Sequence, residues 1–369
     1  MNRTLKSLLF IFLFLSLGLT ACKVGRFFIY NFADINDYKK FPSRPIEKSD
    51  KPFYFVKIKE EKIPKTVTIE KEKISFNEFL YNTNTVAFIV IRSDSILYEK
   101  YLYGYNESSI VPSFSMAKSF TSILIGCAID DGLIQSVDDF VTEYLPELKN
   151  SGFQKVKIKH LLQMTSGIDF NEGYSNPFGH VATFYYGRNL RKSSSKLKFK
   201  SEPGINFEYV SGNTQILGLV LESVLKEQTI SKYFESKIWK PLGMEYAASW
   251  SIDRKKDGIE KTFCCLNARA RDFAKIGRLY LNKGNWNGQQ IVSEDWINQS
   301  IKKDKTEGSV SFYQYQWWLP KRSGDFMAQG ILGQFIYVSP DKDLIFVRLG
   351  KKTGNINWGS FLGNLAESY

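Results

Sequence analysis

Residues 113–132 read Ser113-Phe114-Ser115-Met116-Ala117-Lys118-Ser119-Phe120-Thr121-Ser122-Ile123-Leu124-Ile125-Gly126-Cys127-Ala128-Ile129-Asp130-Asp131-Gly132. Met116, Ala117, Phe120, Ile123, Leu124, Cys127 and Ala128 recur at helical spacing and make one apolar stripe, which stops at Asp130-Asp131-Gly132. Ser115 and Lys118 open this helix, and their i, i+3 spacing puts both side chains on one face. At that place the lysine is desolvated and the free N–H groups of the first helical turn face the serine. Ser-x-x-Lys is a weak pattern by itself: six occur, starting at Ser115, Ser193, Ser195, Ser223, Ser300 and Ser339. Ser193 and Ser195 fall in a basic stretch, Ser339 in a turn, and Ser223 and Ser300 near polar helix ends. Only Ser115 begins an apolar helix.

Strands lie outward on both sides. Val86-Ala87-Phe88-Ile89-Val90-Ile91 reads as a buried strand, Arg92-Ser93-Asp94-Ser95 as a turn, and Ile96-Leu97-Tyr98 as the return strand. Near the other end, Phe335-Ile336-Tyr337-Val338 and Leu344-Ile345-Phe346-Val347 flank a Ser339-Pro340-Asp341 turn and make a hairpin. Between them helices are expected at Lys159–Thr165, Thr214–Lys226, Ile230–Trp239, Ala270–Asn282 and Ser293–Lys302. Arg188–Lys200 is basic and Ser-rich and reads as an exposed loop. The expected fold is therefore α/β (α+β): an antiparallel sheet formed by both ends of the chain, flanked by helices, with a mainly helical insertion.

The 369 residues are 43% hydrophobic and 24% charged, which excludes disorder, collagen-like repetition and a multi-span membrane protein. Fifty Lys and Arg against 38 Asp and Glu give +12, a balance that suits a nucleic acid or an anionic membrane. No RNA- or DNA-binding motif accompanies the charge, and no nucleic-acid partner is expected. With two histidines in the chain, a His-rich metal site is nearly excluded. His160 reads as a structural hydrogen-bonder at a helix start, and His180 lies in a Gly/Asn/Pro loop. The Gly-x-Ser-x-Gly elbow, the phosphate-binding Gly-rich loop and Cys/His clusters are absent from the sequence. A serine enzyme without histidine needs another base, and a lysine serves when burial lowers its pKa toward neutrality.

Ser115-Met116-Ala117-Lys118 resembles the nucleophile motif of the serine β-lactamase/penicillin-binding-protein superfamily. The branch it is most similar to holds class C β-lactamases, family VIII esterases, D-aminopeptidases and 6-aminohexanoate-dimer hydrolases. Three further segments agree. Lys159-His160-Leu161-Leu162-Gln163-Met164-Thr165-Ser166-Gly167 resembles that branch's structural helix and turn. Tyr209-Val210-Ser211-Gly212-Asn213-Thr214 resembles its second catalytic motif, and Leu266–Ala274 the opening of a late helix. The resemblance runs from about residue 78 to 366. It implies a β-lactamase/transpeptidase-like fold with Ser115 as nucleophile, Lys118 as its base and Tyr209 as proton shuttle to the leaving group. It places the oxyanion hole at the backbone N–H groups of Ser115 and Ile331, each such donor being worth about 3–4 kcal/mol. The second motif usually reads Tyr-x-Asn; Ser211 stands at its third place. The third motif, normally Lys or His, then Thr or Ser, then Gly, appears as Ala328-Gln329-Gly330 and supplies no charge for a substrate carboxylate. Lys321, Arg322 or Arg188 are the cations that could stand in.

The first 22 residues read as an address. Arg3 and Lys6 precede an uncharged run, Ser7–Ala21, shorter than the ~20 residues of a spanning helix. Leu19-Thr20-Ala21-Cys22 resembles a bacterial lipobox, which implies cleavage before Cys22 and diacylation of its thiol; an ordinary secretory signal is the plainer alternative. The expected organisation is a lipoprotein signal peptide at 1–21, a tether at 22–77 and a serine hydrolase domain at 78–369, anchored in a bacterial envelope. Cys127, Cys264 and Cys265 then remain, an odd number expected to be small buried apolar residues. The expected activity is hydrolysis of small amides or carboxylic esters through an acyl-enzyme, with no cofactor and no metal. A β-lactamase or D-Ala-D-Ala peptidase is the alternative within the superfamily, and a silent binding or sensor module the alternative outside catalysis. The sequence leaves the oligomeric state open.

Overall fold

Ala87–Ile91 alternates between two cores: Ala87, Ile89 and Ile91 join one, Phe88 and Val90 the other, as the period-two geometry of a strand requires. The computed structural model describes residues 23–30, 32–69, 72–149, 151–322 and 324–369; the stretch expected to be a signal peptide, and Cys22, lie outside the described residues.

In chain order, helix α1 (Lys23–Tyr30) precedes strands β1 (Ser43–Ile46) and β2 (Val56–Lys57), helix α2 (Phe76–Asn82), and strands β3 (Thr85–Arg92), β4 (Ser95–Tyr101) and β5 (Val111–Pro112). The helical middle follows: α3 (Met116–Asp130), α4 (Ile158–Leu162), α5 (His180–Tyr186), α6 (Leu190–Ser194), α7 (Ser211–Leu225) and α8 (Ile230–Phe234). Strands β6 (Ala248–Ser251) and β7 (Leu266–Ala268) lead to α9 (Ala270–Leu281) and α10 (Glu294–Ile301). The chain closes with β8 (Tyr313–Gln314), β9 (Trp317–Trp318), β10 (Phe326–Gly330), β11 (Gln334–Ser339), β12 (Leu344–Gly350) and helix α11 (Trp358–Glu367).

The main sheet runs β8-β9-β10-β11-β12-β3-β4-β2. The last long strand, β12, pairs antiparallel with β3, so both ends of the chain do close one sheet. α2 and α11 cover one face through Phe79, Trp358 and Leu362; α3 and α9 cover the other. A smaller sheet, ordered β1-β6-β7-β5, stands beside it.

Three expectations change in detail. α3 is wider than a stripe: every residue from Met116 to Ala128 is buried. Its polar side chains are consumed inside, Ser119 Oγ donating to Gln316 O at 2.7 Å and Thr121 Oγ1 to Thr262 O at 2.9 Å. Arg188–Lys200 is not a bare loop: Asn189 caps α6, the Leu190 amide donates to Asp253, and Leu190, Ser194 and Leu197 are buried. Spacing in so polar a stretch hides a helix of five residues. The 23–77 stretch, read as a tether partly packed on the domain surface, goes further in and lays Phe27, Ile35, Ile46 and Phe55 into the main core and pairs β1 with β6.

The cysteines need a correction. Cys127 is free and buried, but Cys264 and Cys265 are joined to each other as a disulfide. An odd count excluded a framework of separate partners, not a neighbouring pair closing on itself. Cys265 takes a left-handed φ of +72° there.

Candidate active site

Ser115 is the N-cap residue of α3, and Lys118 one turn later is 1% exposed. Lys118 Nζ donates to Ser115 Oγ at 3.0 Å and to the Phe263 carbonyl at 3.0 Å. Burial pulls its pKa down to about 8, and the Glu172 carboxylate opposes part of that fall. The backbone here is held in sparse regions: Phe114, just before Ser115, has φ +44°, and Leu332, just after Ile331, has φ +62°. Such conformations persist only where the surroundings over-determine them, typically at functional sites.

Tyr209 lies two residues before α7, next to its N-cap Val210. Its ring centre is 5.0 Å from Lys118 Nζ, and it lines a cavity together with Ser115. Desolvation, with Tyr313 and Trp318 against the ring, pushes the phenol well above its ordinary value, so it stays protonated. Gly330 ends β10 against the start of α3: a Cβ there would lie 2.4 Å from Ser113 O and 3.2 Å from Ser115 N. That contact sets Ile331 beside the serine, and both line one cavity. Gln329 lines a second, smaller cavity with Ser115, Tyr209 and Thr353. The structure thus gathers Ser115, Lys118, Tyr209, Gln329, Gly330 and Ile331 around one point. Ser211 lines the same apolar cavity as Ser115, while its N–H and Oγ donate to Glu172 at 3.0 and 2.5 Å.

A model of the Beta-lactamase family matches residues 76–357. The chain belongs to the β-lactamase family. A 6-aminohexanoate-dimer hydrolase from Paenarthrobacter ureafaciens is 28% identical over 294 residues, 73% of either chain. A solved 6-aminohexanoate-dimer-hydrolase-like structure from Bacillus anthracis superposes with a TM-score of 0.80 at 25% identity, covering 90% of this chain and 92% of that one. A penicillin-binding protein from Bacillus halodurans shares the fold, with a TM-score of 0.63 at 18% identity over 79% of this chain and 99% of that one.

Within this β-lactamase-family fold, several site residues escape sequence reasoning. Glu172 sits on an irregular loop, and nothing in its spacing points to Lys118. The larger cavity, about 250 Å³, is almost wholly apolar; Phe32 and Ala33 from the N-terminal segment close it against Val181, Tyr185 and Leu332. Tyr185 is fixed from behind, its hydroxyl donating to Asp37 at 2.6 Å and its carbonyl accepting from buried Lys261. Lys261, whose ammonium sits 3.7 Å over the Phe41 ring, is pulled down to about 7 by burial. The histidines are structural. The Lys157 amide donates to His160 Nδ1 at 3.2 Å and the Asn171 amide to His180 Nδ1 at 2.9 Å. Arg322 is spent on Asp325 and Glu367.

Proposed function

We propose that the chain is a serine hydrolase of the bacterial envelope that cleaves small amides or carboxylic esters through an acyl-enzyme on Ser115, held to its membrane by lipid on Cys22. One observation carries the catalytic reading: a buried lysine whose amine is bonded to the serine oxygen at 3.0 Å. Neutral Lys118 takes the Oγ proton as Oγ bonds to the substrate carbonyl carbon. The oxyanion forms toward the Ser115 and Ile331 amides. Tyr209 hands its proton to the departing alcohol or amine as the C–O or C–N bond breaks and takes in its place the proton held by Lys118, which leaves the lysine neutral again. Water then attacks the ester on Ser115, and the same groups run in reverse.

The apolar cavity favours an uncharged acyl or leaving group. Family membership alone keeps a β-lactamase or D-Ala-D-Ala peptidase in view; the uncharged Ala328-Gln329-Gly330 and the committed Arg322 argue against a carboxylate-bearing substrate. The test is fluorophosphonate labelling with peptide mapping. Label on Ser115 that disappears in Ser115→Ala supports the reading. Absence of label on folded wild-type protein would leave the silent binding module.

A further inference from the structure

The face that carries α1 combines an apolar edge with charge of one sign. α1 buries Gly25, Arg26 and Phe27, and Arg26 Nε donates to Tyr186 O at 2.7 Å, so the helix is fastened to α5. Phe28 and Ile29 point the other way, 66% and 51% exposed. Four residues beyond Phe28, Phe32 is 55% exposed and forms the lip of the apolar cavity next to Ser115. Phe178, 73% exposed, stands on the loop that leads from Tyr174 into α5. Beside α5, Lys23, Lys192 and Lys196 line an open cavity of about 280 Å³ whose lining includes His180 and no carboxylate.

We propose that this face is a docking surface for an anionic lipid bilayer, with Phe28, Ile29 and Phe178 entering the boundary between headgroups and acyl chains. Lys23, Lys192 and Lys196 meet the lipid phosphates, and the mouth of the Ser115 cavity is held at the membrane surface. An apolar edge flanked by lysines is the pattern of a helix lying in the interface. The proposal rests on Cys22 as the anchor, and the chain length supports it. α1 begins at the residue after Cys22, and consecutive Cα atoms are about 3.8 Å apart. No slack remains to hold α1 off the bilayer. A second copy of the chain is a poorer occupant, because a two-fold pairing would oppose the same lysines.

The test uses the full chain with one reporter thiol. Cys127 is buried and Cys264–Cys265 is bonded, so with Cys22 acylated an introduced cysteine is the accessible one. Bimane is placed at Ile29→Cys, or at Leu133→Cys beyond the far end of the 15-residue α3. The protein is added to phosphatidylglycerol/phosphatidylcholine vesicles carrying brominated lipid. Quenching of at least twofold at 29, with little at 133, is the expected result, and Lys192→Glu with Lys196→Glu should weaken it. Equal quenching at both positions, or none at either, overturns the proposal. A bimane response without lipid that grows with protein concentration assigns the face to a second copy and also overturns it. Flotation of the labelled chain, with and without Cys22→Ser, separates the two readings. A chain that floats but is unquenched at 29 keeps the anchor and loses the docking surface; quenching at 29 without acylation keeps the docking surface alone.

Discussion

Arg348 occupies the space that a side chain at Gly333 would need: a Cβ there would lie 1.7 Å from the guanidinium Nη1. Arg348 is fully buried on β12, and among the described residues no carboxylate pairs with it. Its guanidinium donates instead to the carbonyls of Gly333 at 2.6 Å, Thr83 at 2.6 Å, Lys352 at 3.0 Å and Leu332 at 3.2 Å, over the Trp358 ring. The turn that presents the Ile331 amide is thus clamped from below by a planar fork, a job that a point-charge ammonium does poorly.

Gly333→Ala should therefore do two kinds of damage. Gly333 has φ +81°, and a side chain adds backbone strain and overpacking of about 2–3 kcal/mol. We expect a Tm lower by several degrees and ester hydrolysis reduced at least tenfold in the protein that remains folded. Wild-type Tm and kcat together would show that the clamp is not needed.

Hydrolysis should follow the protonation of Lys118. Its pKa lies at about 8, and the neutral amine is the working form, so kcat/KM rises with pH through that value and is lost below it. Glu172 holds that pKa up, so Glu172→Gln should move the rise to lower pH. Lys118→Arg, protonated at every working pH, should retain under about 1% of activity, since one such base is worth roughly 10²–10⁴ in rate. A profile flat from pH 6 to 9 contradicts the assignment.

Substrate charge gives the next expectation. Ala328 is fully buried and Arg322 is engaged elsewhere, so a β-lactam carboxylate loses charge-assisted bonds of ~1.5–3 kcal/mol each. Nitrocefin kcat/KM should then lie at least tenfold below that for p-nitrophenyl butyrate. A nitrocefin value at or above that of the ester promotes the β-lactamase reading.

Cys22→Ser should end incorporation of labelled palmitate and shift most of the protein out of the membrane fraction. Palmitate on the variant, or none on the wild type, rules out Cys22 as the lipid site.

Much of the framework was legible in the chain because it is written by near neighbours. The apolar run Val86–Ile91, the hairpin about Ser339-Pro340-Asp341 and the Ser115/Lys118 spacing each depend on residues a few positions apart. Their periodicities follow from backbone geometry alone. The resemblance supplied Tyr209, Gly330 and Ile331, which no local pattern would have joined to Ser115. Glu172, the Phe263 carbonyl, the Phe32 lip and the Arg348 clamp belong to another kind of information. Lys118 meets Phe263 across 145 positions and Arg348 meets Thr83 across 265. Such partners are chosen when helices and sheet pack, since a buried donor must find an acceptor wherever the fold brings one. The local sequence determined that a serine and a lysine would share a helix face at the edge of a sheet. Only packing decided which carbonyl accepts the lysine's hydrogen bond, which carboxylate tunes it and how apolar the cavity beside the serine became.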